Sequence, residues 1–94
     1  MTYPNDFINK IICGNCLDVM HAMPDNAVDT IITDPPYGLK FMGNKWDYQI
    51  PGTEAFKEML RVAKPGATLL CFGGTRTWHR IAVNIEDAGW EIRD

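Results

Sequence analysis

The feature that most narrows the folds open to this chain is an alternation of apolar runs with segments of helical period, each closed by glycine or proline. Val28-Asp29-Thr30-Ile31-Ile32-Thr33 is rich in β-branched residues and reads as a strand. It ends at Asp34-Pro35-Pro36, where two prolines remove two ladder donors. Residues 67–72 form a second continuous apolar run, closed by Gly73-Gly74-Thr75. Shorter runs at Lys10-Ile11-Ile12-Cys13, before the turn-favouring Gly14-Asn15, and at residues 90–93 read as two further strands. Between them, Leu17, Met20 and Met23 recur at helical spacing, with Val19 nearby, until Pro24. Phe56, Met59, Leu60 and Ala63 share a face in a helix that opens at Thr53 and stops at Pro65-Gly66. Trp78, Ile81, Ala82, Ile85 and Ala88 mark a third helical face, ended by Gly89. Strand and helix alternating in this way predict a mostly parallel α/β sheet with right-handed crossovers. The strands are apolar on both faces, which predicts flanking helices on both.

Length and composition set the scale. The 94 residues allow one domain, 1–94, and a 46% hydrophobic content argues for a globular chain rather than a disordered one. A chain this short buries only about 60–65% of its unfolded surface, which makes its stability marginal. Nine Lys and Arg against twelve Asp and Glu give a net charge of −3, so the whole chain has no basic excess with which to grip nucleic acid. No apolar run approaches the roughly 20 residues of a membrane span, and the first residues lack the basic and apolar regions of a signal peptide. The expected location is the cytoplasm. The last residues resemble the start of a strand, so the chain reads as the front part of something longer.

Three cysteines, Cys13, Cys16 and Cys71, argue against a disulfide framework. Cys13 and Cys16 form a C-x-x-C, but no thioredoxin-like strand precedes it by enough residues. With His21 they match three positions of a zinc knuckle, and Asn26 occupies the fourth, so no metal is expected. Cys71 lies in an apolar run and reads as a buried small hydrophobe.

Ligands of an open α/β sheet bind outside the carboxyl ends of its strands. Three clusters fall there: Gly14-Asn15-Cys16, Asp34-Pro35-Pro36-Tyr37 and Phe72-Gly73-Gly74-Thr75. The second carries the most chemistry. Proline fixes φ near −65° and has no N–H of its own, so Asp34 and the Pro35 carbonyl can present two acceptors toward one point. Two convergent acceptors suit an exocyclic NH2 group, and Tyr37 can stack on the plane of a base, worth about 1–3 kcal/mol.

Thr33-Asp34-Pro35-Pro36-Tyr37-Gly38 resembles the catalytic motif of the amino-group DNA methyltransferases, in the group that places it before the cofactor motif. Gly14-Asn15-Cys16-Leu17-Asp18-Val19 is similar to the family's opening turn, and Pro24-Asp25-Asn26-Ala27-Val28-Asp29 to its lead into the catalytic strand. Arg61-Val62-Ala63-Lys64-Pro65-Gly66 resembles the segment before its next strand. The resemblance implies a partial Rossmann-like methyltransferase fold in a bacterial or phage-encoded protein. It also implies methyl transfer from S-adenosylmethionine to the exocyclic N6 of an adenine flipped out of double-stranded DNA. Carried over, the catalytic residues are Asp34, Pro35, Pro36 and Tyr37, and the cofactor-binding residues Asn15, Cys16 and Asp34. The family usually has Asp where this chain has Asn15.

Asp34 at the head of the motif, rather than Ser, resembles the adenine-N6 enzymes more than the cytosine-N4 ones, and it disfavours the protein-glutamine enzymes. The reading from another class is a non-catalytic remnant, because no Phe-x-Gly-x-Gly cofactor loop lies in these residues. The chain on its own is therefore expected to be inactive. Lys40, Phe41, Lys45, Trp46 and Tyr48 mix cations with aromatics and suit either a DNA-facing loop or a solvated one. Arg76, His79 and Arg80 after Gly73-Gly74 suit a solvated helix face better than a phosphate site.

Overall fold

A backbone donor in a strand needs a neighbour to bond to, and among the described residues only two of the four apolar runs find one. The structure, a computed structural model, describes residues 1–36 and 51–93. Its elements are α1 (Cys16–His21), β1 (Val28–Thr33), α2 (Thr53–Val62), β2 (Ala63–Cys71) and α3 (Trp78–Asp87). The two strands pair in parallel, with Thr30 opposite Thr68 and Thr33 opposite Cys71. This is an α/β arrangement, and β1 has the bounds that its β-branched run predicts.

Two expected strands are absent among the described residues. The segment 10–13 is irregular, with Ile11 fully exposed, and residues 90–93 form no strand either. Local β preference is worth little where no strand lies alongside to pair with.

The α2 helix also ends earlier than its apolar spacing predicts. Ala63 is already extended, pairs with Val28 and is buried, while its N–H still bonds to the Met59 carbonyl. From Val28 to Thr30 the first strand advances two residues while the second runs from Ala63 to Thr68. That bulge holds Pro65, which cannot donate, and Gly66, whose φ of +84° suits a residue without a Cβ. Pro65-Gly66 thus interrupts a strand and does not stop the helix.

Phe56 and Met59 of α2 and Ile81, Ile85 and Ala88 at α3 form the core, with Ile31, Leu69, Cys71, Met20 and Trp90 packed against it. The core thus draws on α2 and α3, with Met20 of α1 and Ile31 and Leu69 of the sheet packed against it. Among the described residues the opposite sheet face has no such cover, because Ile32 and Leu70 are 69% and 51% exposed. Helices on both faces were expected; the apolar runs alone could not say that only one would be covered among these residues. Leu60 and Trp78, placed on apolar faces by spacing, are likewise exposed.

The end of α3 has a local cause that the sequence does carry. Gly89 has φ of +113°, its N–H bonds to the Glu86 carbonyl, and the Trp90 N–H bonds to the Ile85 carbonyl. These are the paired bonds of a Schellman cap. A Cβ at Gly89 would stand 2.9 Å from Leu60 Cδ2. Gly89→Ala is expected to lower stability by about 1–2 kcal/mol, most of it backbone strain, because the Leu60 end can swing aside. Urea denaturation measures it, and an unchanged midpoint refutes the cap's contribution.

Candidate functional site

Because β1 and β2 are parallel, their carboxyl ends open on the same edge of the sheet. Thr33 stands opposite Cys71, and the Phe72 N–H donates to the Thr33 carbonyl at 3.0 Å. Asp34-Pro35-Pro36 therefore leaves the sheet beside Phe72-Gly73-Gly74, bringing two of the three predicted clusters together. Asp34 is exposed and the two prolines half-buried. Tyr37 and the cation-aromatic set Lys40, Phe41, Lys45, Trp46 and Tyr48 lie outside the described residues.

The Asp34 carboxylate acts on Cys71. Burial first, and then the negative charge of Asp34, push the Cys71 thiol up from its ordinary value. Its Sγ lies 3.6 Å from the Phe72 carbonyl, to which it donates. Cys71 packs against the core but is only half-buried, where its apolar run predicts a buried side chain. Cys13 and Cys16 are both exposed and free. Among the described residues no three His, Cys, Asp or Glu side chains gather as a metal site, and no helix is long and apolar enough to cross a membrane.

The glycines after β2 shape the far side of this edge. The Gly74 carbonyl accepts from both Thr77 and Trp78 N–H groups, turning the chain into α3. A Cβ on Gly73 would meet Trp78 Cβ at 3.2 Å, so the absence of a side chain lets strand end and helix start lie close. Arg76, His79 and Arg80 are exposed.

Asn15 has a structural duty. It is the N-cap of α1, and its side-chain oxygen accepts from the Leu17 N–H at 2.9 Å. This is what asparagine does well at a helix start. With the oxygen committed to the cap, what Asn15 can offer a ligand is its amide N–H donors. Cys16 opens the same helix and is exposed.

The group that sequence reasoning missed is Arg61. Its guanidinium donates to the Met20 carbonyl at 2.7 Å and the Met23 carbonyl at 3.0 Å. It also pairs with Asp25 at 2.7 Å and with both oxygens of Glu58 at 2.9 and 3.0 Å. His21 Nε2 stands 3.6 Å from the same carboxylate. Glu58 and Arg61 are three apart on α2, a helical pairing distance, and that was the available signal. The two carbonyls from α1 and the chain after it could not have been read.

Hydrogen bonding from Arg61 holds Glu58 below its ordinary carboxylate value of 4.5, against the opposing effect of burial. A carboxylate whose folded value is depressed adds stability above its unfolded value and loses it as pH falls through the folded one. Denaturation midpoints are therefore expected to hold above about pH 5 and drop at more acid pH, with Glu58→Gln flattening that drop. An identical acid limb in the variant would show that other carboxylates carry it.

No protein-family model matches the chain. Individual relatives do. The chain is 34% identical over 93 residues to a protein of Escherichia coli strain K12 named as a methylase, YubD, which covers 90% of this chain and 40% of that protein. It is 32% identical over 78 residues to the type II methyltransferase M.BglII of Bacillus subtilis, covering 79% of this chain and 22% of the relative. It is 35% identical over 74 residues to the type II methyltransferase M.HpaI of Haemophilus parainfluenzae, covering 71% and 24%. The chain thus spans two fifths or less of the length of these curated relatives. Over most of its residues, then, the chain is similar to proteins named as methyltransferases.

Proposed function

We propose that the chain supplies the methyl-acceptor side of an enzyme that methylates the exocyclic N6 of adenine in double-stranded DNA, using S-adenosylmethionine. Residues 1–94 are then the N-terminal catalytic part of a Rossmann-like methyltransferase domain. The observation that carries this reading is Asp34-Pro35-Pro36 leaving a parallel strand at the edge where open α/β sheets bind ligands, in a chain whose relatives are methyltransferases.

In this reading the Asp34 carboxylate and the Pro35 carbonyl accept hydrogen bonds from the amine. They orient its lone pair for in-line attack, so their contribution is positioning and electrostatics. Pro36 stiffens the turn, and Tyr37 stacks on the base, which must leave the duplex to be reached. Asp34 need not be a strong base, because the nitrogen becomes acidic only once methylated. S-adenosylmethionine supplies an electrophilic methyl group when bound. The donor set fits its polar groups: Asp34 can accept from an ammonium or hydroxyl, and Asn15, with its amide N–H donors, can bond a carboxylate beside Cys16.

The natural protein carrying these residues is to be incubated with methyl-labelled S-adenosylmethionine and duplex DNA, and the DNA digested to nucleosides. Label in N6-methyldeoxyadenosine is the expected result. Label in N4-methyldeoxycytidine moves the reading to cytosine. No label, with no binding of the cofactor, favours the non-catalytic remnant.

A further inference from the structure

The helix α1 has no fully buried side chain, and six residues are far too few for a helix to hold itself together in water. Its N-cap is Asn15, and Cys16 is its first residue. Something else must fix where that turn stands. The Arg61 guanidinium reaches the Met20 carbonyl in the last turn of α1, then the Met23 carbonyl and Asp25 in the chain that leads to β1. Its main-chain carbonyl accepts from the Asn26 N–H at 3.0 Å, and that of Val62 accepts from the Ala27 N–H at 2.7 Å. Tyr3 adds one more bond to this junction, its hydroxyl donating to the Ala27 carbonyl. Glu58 aligns the guanidinium by taking two of its donors in parallel. One arginine on α2 therefore ties down both α1 and the entry to β1, the strand that ends in Asp34.

We infer that Arg61 is a positioning residue: by clamping the junction between α1 and β1 it sets where the Asn15-Cys16 turn stands relative to Asp34. It touches neither cofactor nor base. The functional half of this inference rests on the reading of those residues as cofactor-binding, and the clamp itself does not. Arginine is suited to the task because its planar fork can serve two carbonyls and two carboxylates at once. Lysine offers one charge and no fork.

Arg61→Lys and Arg61→Ala test it, with backbone amide resonances and S-adenosylmethionine affinity by calorimetry as separate readouts. In a folded variant the resonances of residues 15–27 are expected to move toward coil values while those of β2 and α3 stay. Cofactor affinity is expected to fall about tenfold or more, a loss of about 1.4 kcal/mol. Arg61→Lys should lie between wild type and Arg61→Ala, and remains readable if the alanine variant unfolds. Native resonances at 15–27 in a folded variant would overturn the clamp. Displaced resonances with unchanged cofactor affinity would overturn the positioning role. A wild-type protein that binds no cofactor refutes the cofactor reading alone, while the resonances still decide whether Arg61 holds α1.

Discussion

Asp34→Ala is expected to lower methyl transfer by about 10²–10³-fold, the usual loss when one preorganised hydrogen-bonding group is removed from a polar transition state. Asp34 lies at the edge of the sheet and is exposed, so the substitution leaves no cavity and the core stays packed. The loss should therefore appear in the rate of transfer, with denaturation midpoints close to wild type. Asp34→Asn keeps one acceptor oxygen and should lose less than Asp34→Ala. Initial rates of label transfer at saturating cofactor and DNA measure both. Transfer by Asp34→Ala at the wild-type rate would remove Asp34 from the site, and with it the proposed orientation of the amine. One side effect is built in: without the neighbouring negative charge the Cys71 thiol should titrate at lower pH, because Asp34 contributes to its upward shift.

Phe56→Ala should have the largest effect on folding. Phe56 is 0% exposed and sits between α3 and the covered face of the sheet. Removing a buried ring costs about 3–5 kcal/mol, through lost transfer free energy and the cavity left behind. Domains of this size have only about 5–15 kcal/mol in all, so the variant should be largely unfolded well below the wild-type midpoint. The Phe56 carbonyl also accepts from the Trp90 indole N–H at 3.0 Å, so Trp90 fluorescence reports loss of the same region. Phe56→Leu retains most of the volume and should lose far less. A loss below about 1 kcal/mol in Phe56→Ala would mean that the helices do not depend on this contact.

The Asp34-Pro35-Pro36 strand stop was legible because it is made of local chemistry. Proline lacks the donor a ladder needs, wherever it stands. The start of α2 at Thr53 and the stop of α3 at Gly89 were legible for similar reasons. Asn15 was legible as a turn residue but not as a cap, because capping depends on the helix that forms after it. Arg61 was invisible as a clamp, because its carbonyl partners are 38 and 41 residues away in sequence.

By itself, then, the sequence determined where β1 begins and ends and that strand and helix alternate. It also determined that a carboxylate, two prolines and an aromatic ring follow the first strong strand. These follow from φ restriction, missing donors and side-chain periodicity, which act within a few residues. Tertiary structure alone decided that Ala63 would leave α2 to pair with Val28, and that Ile11 and residues 90–93 would stay outside the sheet. It alone left Ile32 and Leu70 exposed among the described residues and placed Arg61 over the junction that leads to Asp34. Strand pairing, burial and ion pairing join residues far apart along the chain, and so they depend on which surfaces meet.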